Sequence, residues 1–243
     1  RKHWDAEIVI WPEAAIPAMI DEDFDFLESV DAEAIENGSA VILGMLERGL
    51  DDGREYNSVL TLGADHGIYR KRHLVPFGEY FPVPGFVRQW MRLMSLPYVD
   101  ISAGEPAPPP LVVAGQTIGM TICYEDAYGA EQLVFLPEAA VLVNVSNDAW
   151  FGDSIAPHQH LQIARMRALE TGRYLLRATN TGISAIIGPG GEIRGRSPQF
   201  ETHVLTGVVR AYTGATPYVR TGNTVVMLLC ALLVFASITL RSK

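Results

Sequence analysis

The chain has 243 residues, room for one large domain or two small ones, and 48% of them are hydrophobic, ample for a buried core. A formal net charge of -9, with no basic stripe or stacking-aromatic module, argues against a nucleic-acid partner. The two cysteines, Cys123 at an expected strand tip and Cys230 in an apolar run, are unlike a disulfide scaffold or a cysteine-based zinc site.

The sequence opens at Arg1 without a methionine or a signal peptide and runs straight into a strand, so it is expected to be part of a longer protein with a segment missing upstream. Residues 6–13 read as a short apolar strand stopped by Pro12, which leaves Glu13 just past a strand end, where α/β enzymes place catalytic groups. A lone carboxylate there is otherwise a solvated loop residue. The acidic run 21–26 reads as the solvated start of a helix rather than a metal site. Residues 40–46 and 56–62 predict two strands joined by a polar turn, and 68–71 a hairpin partner. Prolines and glycine make 71–82 a fixed loop, within which Lys71 and Glu79 either point into a cleft or are two surface charges.

Between Pro84 and Val99, Phe86, Val87, Trp90, Met91 and Met94 share one helical face, with Arg88, Arg92 and Ser95 on the other. This pattern suits a helix in a lipid headgroup layer or ordinary packing on the domain. The proline-rich 103–110 is a loop. Ile118, Met120 and Ile122 then alternate as a buried strand that ends at Cys123. A cysteine there is either a nucleophile lifted above the sheet or a small buried hydrophobe. Residues 139–146 predict a buried strand leading into Asn147–Gly152, followed by a helix from Pro157 to about Arg177. His158 and His160 fall in its first turn, where i and i+2 share no face, so metal ligation is not expected. Residues 183–194 form a hairpin around Gly-Pro-Gly-Gly, and 204–209 predict a last strand.

Residues 224–240 carry no charge and are apolar all round. Their 17 residues rise roughly 26 Å as a helix, near the lower limit for a bilayer span. With Arg220, Arg241 and Lys243 flanking the run, a transmembrane helix with a cytoplasmic C-terminus is expected, placing the globular part on the periplasmic side. The alternative is a buried core helix. Strands alternating with helices and hairpins predict an α/β sandwich with a mixed sheet.

Glu13, Lys71 and Cys123 make chemical sense together. A carboxylate can take the thiol proton, and an ammonium can stabilise a thiolate and an oxyanion. The Tyr124 N–H would be a second oxyanion donor, and Glu79 would orient the lysine or the incoming nucleophile. At these residues the chain resembles the nitrilase superfamily of carbon–nitrogen hydrolases, whose site is Glu-Lys-Cys in that order. Within it, the chain is similar to the apolipoprotein N-acyltransferase branch. The resemblance rests on Trp11-Pro-Glu13, on Tyr69 to Glu79, on Ile122-Cys-Tyr-Glu125, on Ser146 to Gly152, and on Arg167 to Tyr174 leading to Arg177 to Gly182.

The resemblance implies Cys123 as nucleophile, Glu13 as base and Lys71 as essential lysine, with Glu79, Tyr124, Glu125, Trp150 and Arg173 around the pocket. It implies an αββα sandwich over residues 1–222 and a transmembrane helix with a basic tail over 223–243. The branch's upstream membrane helices and the first strand of the domain do not appear in the sequence. The implied reaction is ping-pong and needs no metal or organic cofactor. Cys123 takes the sn-1 acyl chain of a phospholipid, typically phosphatidylethanolamine, as a thioester and passes it to the amine of a diacylglyceryl-cysteine apolipoprotein at a bacterial inner membrane. The alternatives are a nitrilase-type amidase using water, a membrane-tethered binding domain, and a Cys–His hydrolase with His73 or His158 as base.

Overall fold

A computed structural model describes residues 3–87, 93–94 and 100–241, with the side chains of the last two left aside. Most of the Pro84–Val99 segment therefore lies outside the described residues, including Arg88, Trp90, Met91, Arg92 and Ser95 of the amphipathic pattern.

Two sheets stack face to face. The first is four-stranded, in the order β1 (Ile8–Ile10), β2 (Ala40–Arg48), β3 (Glu55–Leu62), β4 (Gly67–Arg70). The second is six-stranded, in the order β10 (Ile193–Arg196), β9 (Ala185–Ile187), β8 (Leu175–Thr179), β7 (Val141–Ser146), β6 (Gln116–Ile122), β5 (Leu111–Val113). In the first sheet β1 runs parallel to β2, and β2, β3 and β4 form antiparallel hairpins. In the second, β6, β7 and β8 are parallel and their flanking strands antiparallel. Each sheet carries a helix on its outer face, α1 (Phe24–Asn37) on the first and α3 (Ala156–Thr171) on the second. Shorter helices are α2 (Gly129–Gln132) and α4 (Pro217–Thr221).

Period-two alternation explains the layers. On β2, Val41, Leu43 and Met45 join Leu60 and Leu62 of β3 against Leu27, Val30 and Ala34 of α1. The intervening residues Ala40, Ile42 and Val59, with Tyr69 of β4, turn the other way into a core shared with the second sheet. There they meet Ile118, Met120 and Ile122 of β6 and Val141, Val143 and Val145 of β7, all buried. The αββα sandwich expected from the sequence is the observed architecture.

Three expectations change. The helix near residue 157 ends at Thr171, because Gly172 takes a left-handed φ of 65° and returns its N–H to Ala168 O; the next residues become β8. Residues 204–209 form no strand. Gly207 lies flat on the Ile186 side chain, over the face of β9 rather than at a sheet edge, and Val204 and Val208 are exposed. The third, a transmembrane helix over residues 223–243, is met only in part. A helix does form, α5 (Thr224–Arg241), and its apolar side chains from Val225 to Ile238 stand exposed. Yet among the described residues no helix is long and apolar enough to cross a membrane.

A Cβ at Gly172 would combine left-handed strain with a 3.0 Å approach to Thr216 Cγ2. Gly172→Ala is expected to destabilise the domain by about 1 kcal/mol, read as a lower thermal midpoint.

Candidate active site

The seam between the two sheets opens at one end, and the site is built across it. From the first sheet comes Glu13. The ladder beside β2 continues past β1, through Trp11 N–H to Ile42 O (2.8 Å) and Ala15 N–H to Gly44 O (2.9 Å), and this lays Glu13 over Gly44. Lys71 follows β4 and shares the inward face of Tyr69, two residues earlier. Its backbone is tied by its N–H to Asn57 O and by Gly104 N–H to its carbonyl, both 2.8 Å. The second sheet supplies Cys123, where β6 breaks into a 3-10 turn, with φ 53°. That left-handed value is strained for any residue with a Cβ.

Neither Glu13 nor Lys71 is a surface charge. Lys71 is 1% exposed and Glu13 6%. Lys71 Nζ lies 2.8 Å from Glu79 Oε1 and 3.5 Å from Glu13 Oε1. Asn57 Nδ2 bridges the two carboxylates, donating to Glu13 Oε1 at 2.7 Å and Glu79 Oε1 at 3.1 Å. The other Glu13 oxygen accepts the Asn147 N–H from across the seam at 2.7 Å, and the other Glu79 oxygen accepts the Val75 N–H at 2.8 Å. Both carboxylates are thus aimed and paired.

Burial works to lower the Lys71 pKa, but the charges of Glu13, Cys123 and Glu79 outweigh it and raise the ammonium above its ordinary value. The Cys123 thiol is pushed up to about 12, by burial first and then by the Glu13 charge, with Lys71 and the Ser146 hydroxyl pulling the other way. The resting site is therefore a protonated thiol beside a carboxylate and a permanent cation. Such a set can move the thiol proton only as a new bond forms, which is general-base chemistry.

Glu125 sits under this arrangement with both oxygens occupied. It accepts the Tyr69 hydroxyl (2.7 Å) and the N–H groups of Ile122 (2.8 Å), Arg72 (2.6 Å) and His73 (3.0 Å). It clamps the lysine loop to the cysteine turn. Tyr124 is half exposed beside Cys123 and meets the ring of Tyr128, on which His73 stacks. Trp150 is 87% exposed on the turn after β7, next to the residues that hold Glu13. His73 engages Glu131 and His158 is exposed. His160 is buried, and its Nε2 lies 3.2 Å from the Cys123 carbonyl oxygen.

Arg173 is elsewhere. It is buried, and its guanidinium donates to the carbonyls of Ala139 (2.7 Å), Gly214 (2.6 Å) and Pro137 (3.2 Å), at the start of β7. Thr117, beside that end, is six residues before Cys123, about 20 Å along an extended strand. Arg173 braces the far end of the sheet and does not line the pocket.

Sequence reading missed Asn57, Asn147, His160 and Arg177. An asparagine inside an apolar strand was the available signal for Asn57. The others act through a backbone N–H or through contacts that only the fold creates. Among the described residues no group of three or more His, Cys, Asp or Glu could hold a metal ion.

A Cβ on Gly44 would stand 2.5 Å from Pro12 O and 2.7 Å from Glu13 Cα. Gly44→Ala is expected to displace Glu13 and, in protein that still folds, to lower the reactivity of the Cys123 thiol toward iodoacetamide about a hundredfold. Arg173→Met should do the reverse. It should lower the thermal midpoint, because buried carbonyls at about 1–3 kcal/mol each lose their donor, while Cys123 in the folded protein reacts with iodoacetamide at an unchanged rate.

A sequence profile described as carbon–nitrogen hydrolase matches residues 1–218. The apolipoprotein N-acyltransferase of Methylococcus capsulatus is 48% identical over 232 residues, 95% of this chain and 46% of that protein. That of Nitrosomonas europaea is 43% identical over 95% of this chain and 47% of its own length. The chain thus spans about half the length of the curated relatives it matches. Among solved structures, a carbon–nitrogen hydrolase from Helicobacter pylori superposes with a TM-score of 0.63 at 19% identity, covering 83% of this chain and 76% of that one. The NitFhit protein of C. elegans gives 0.62 at 19% identity, over 80% and 50%. The sandwich is therefore a nitrilase-like one, and the chain belongs to the carbon–nitrogen hydrolase family.

Proposed function

We propose that this chain carries the catalytic site of a membrane acyltransferase, which moves the sn-1 acyl chain of a phospholipid onto the N-terminal amine of a diacylglyceryl-cysteine lipoprotein. Phosphatidylethanolamine is the expected donor. The observation that carries the reading is a buried Lys71 ammonium held by Glu13 and Glu79 at the turn that bears Cys123. The name shared by the relatives turns that chemistry toward lipoprotein acylation rather than hydrolysis.

In the first half-reaction Cys123 Sγ attacks the ester carbonyl carbon while Glu13 takes its proton. The carbonyl becomes an oxyanion beside the Lys71 ammonium and the Tyr124 N–H. Collapse breaks the bond to the glycerol oxygen, Glu13 returns the proton to that oxygen, and a lysophospholipid leaves a thioester on Cys123. In the second half-reaction the lipoprotein amine attacks the thioester carbon and gives its proton to Glu13. The carbon–sulfur bond breaks, and the proton passes to the sulfur. No step calls for a metal or an organic cofactor.

The setting is a lipid surface. Phe77, Phe86, Trp150 and Phe151 expose a broken apolar rim on the loops around the site, suited to acyl chains and headgroups. Helix α5 would seat in the bilayer, its short apolar run accommodated by local thinning and by the flanking basic residues. The basic end 241–243 favours the cytoplasmic side, with the catalytic domain on the periplasmic face of the inner membrane.

Incubating the full-length protein in bilayers with phosphatidylethanolamine and no acceptor should give one acyl adduct by intact mass, absent in Cys123→Ala. Glu13→Gln should form it a hundred- to ten-thousand-fold more slowly. Turnover of small amides without an adduct would return the site to hydrolysis.

A further inference from the structure

Behind the Cys123 turn, on the helix-facing side of the six-stranded sheet, lies a closed cluster of charged side chains. Its members come from four elements: Asp126 from the cysteine turn, Asp148 from the turn after β7, His160 from α3 and Arg177 from β8. The side chains of Asp126, Asp148 and Arg177 are fully buried. Arg177 Nη2 is 2.9 Å from Asp148 Oδ2, and Nη1 is 3.5 Å from Asp126 Oδ2 and 2.6 Å from Asn144 Oδ1. His160 lies between the two aspartates, with Nε2 3.0 Å from Asp126 Oδ1 and Nδ1 3.0 Å from Asp148 Oδ1.

The contacts of Nδ1 point two ways. A proton on it suits the Asp148 carboxylate, whereas the Arg177 Nη2 at 2.7 Å suits a bare nitrogen. Charge balance decides for the proton. Two buried carboxylates and one guanidinium leave an uncompensated negative charge unless the imidazole is cationic, and an unpaired buried charge is far more costly than a paired one. Burial and Arg177 oppose protonation, but the hydrogen bond and charge of Asp126 and the hydrogen bond of Asp148 prevail and raise His160 to about 9.

None of this supplies a base, a nucleophile or an oxyanion donor. What the cluster does touch is the backbone of the reacting residue. The Cys123 carbonyl accepts from His160 Nε2 at 3.2 Å and from Asn144 Nδ2 at 3.1 Å. The Ser146 hydroxyl, which donates to Asp148 Oδ1 at 2.9 Å, also stands beside the Cys123 thiol. A left-handed cysteine persists only where its surroundings over-determine it.

We propose that His160 is a positioning residue for Cys123: as an imidazolium paired with Asp126 and Asp148, it grips the Cys123 carbonyl and, with Asn144, holds the strained turn that aims the thiol at Glu13 and Lys71. The proposal rests on Cys123 being the nucleophile. It assigns the cluster to the reaction rather than to stability alone.

The test uses the first half-reaction in the full-length protein, run in parallel with phosphatidylethanolamine and phosphatidylcholine vesicles, so that no acceptor amine and, in the second case, no headgroup amine titrates. Folded His160→Gln, whose amide can still donate but carries no charge, is expected to acylate at least tenfold more slowly at neutral pH with an unchanged lipid KM. His160→Ala should be slower still. In the wild type the rate should fall as pH rises through about 9, where the imidazolium is lost; Lys71 keeps its proton there. That limb should vanish in His160→Gln. If neither variant folds, the wild-type profile decides. A flat rate from pH 8 to 10, or a folded glutamine variant at full rate, overturns the proposal. A wild type that forms no adduct but alkylates Cys123 with iodoacetamide refutes the acyltransferase reading instead, and the slower alkylation expected of folded His160→Gln then tests the positioning role alone.

Discussion

Everything in this site follows from burying one ammonium. Lys71 has almost no contact with water, and a cation taken out of water survives only if its lost hydration is replaced by charges and hydrogen bonds. Two carboxylates provide them. Each must itself be held, so Asn57 bridges both, the Asn147 N–H secures one and the Val75 N–H the other. The demand propagates outward: the loop that carries Lys71 has to be fixed, and Glu125 fixes it to the turn of Cys123 with four accepted hydrogen bonds. Glu13, Lys71, Glu79 and Cys123 are therefore nodes in one electrostatic solution, and in the proposed reaction the cation neutralised at rest would meet an oxyanion.

A second charged cluster performs the matching task on the opposite face of the six-stranded sheet. It too is balanced internally, with two carboxylates against a guanidinium and an imidazole, and it too ends on Cys123, through the carbonyl rather than the sulfur. Strain marks both halves of the site. Cys123 and Ala14, the neighbour of Glu13, hold positive φ angles of 53° and 46°. Such angles appear where surrounding contacts impose a direction on a side chain that the relaxed backbone would not give it.

Sequence patterning was informative where chemistry is local. Alternation placed β6, the strand-like stretches 40–46 and 56–62 on either side of a polar turn placed β2 and β3, and strand ends placed Glu13 and Cys123. It failed where a single residue redirects the chain, as Gly172 does in turning an apparently continuing helix into β8. It failed again where geometry depends on what covers a segment, as at 204–209. Arg173 shows the limit of motif proximity: it lies within a stretch shared with the family, yet the helix and sheet carry it to the end away from the cysteine. Asn147 was invisible because it contributes its backbone, which every residue has. His160 was discounted because its spacing to His158 excluded a shared metal, a test that says nothing about what a lone histidine meets across the sheet.

The seam has a further meaning. Glu13 and Lys71 hang from one sheet and Cys123 from the other, so their separation depends on the thickness of the apolar core between the sheets, on side chains such as Ile42, Val59 and Met120. Those residues lie in the core, yet they space the two halves of the site. Core packing in this fold thus bears on the geometry of the site as well as on stability. A methyl group gained or lost between the sheets is felt in the spacing of Cys123 from Glu13 and Lys71.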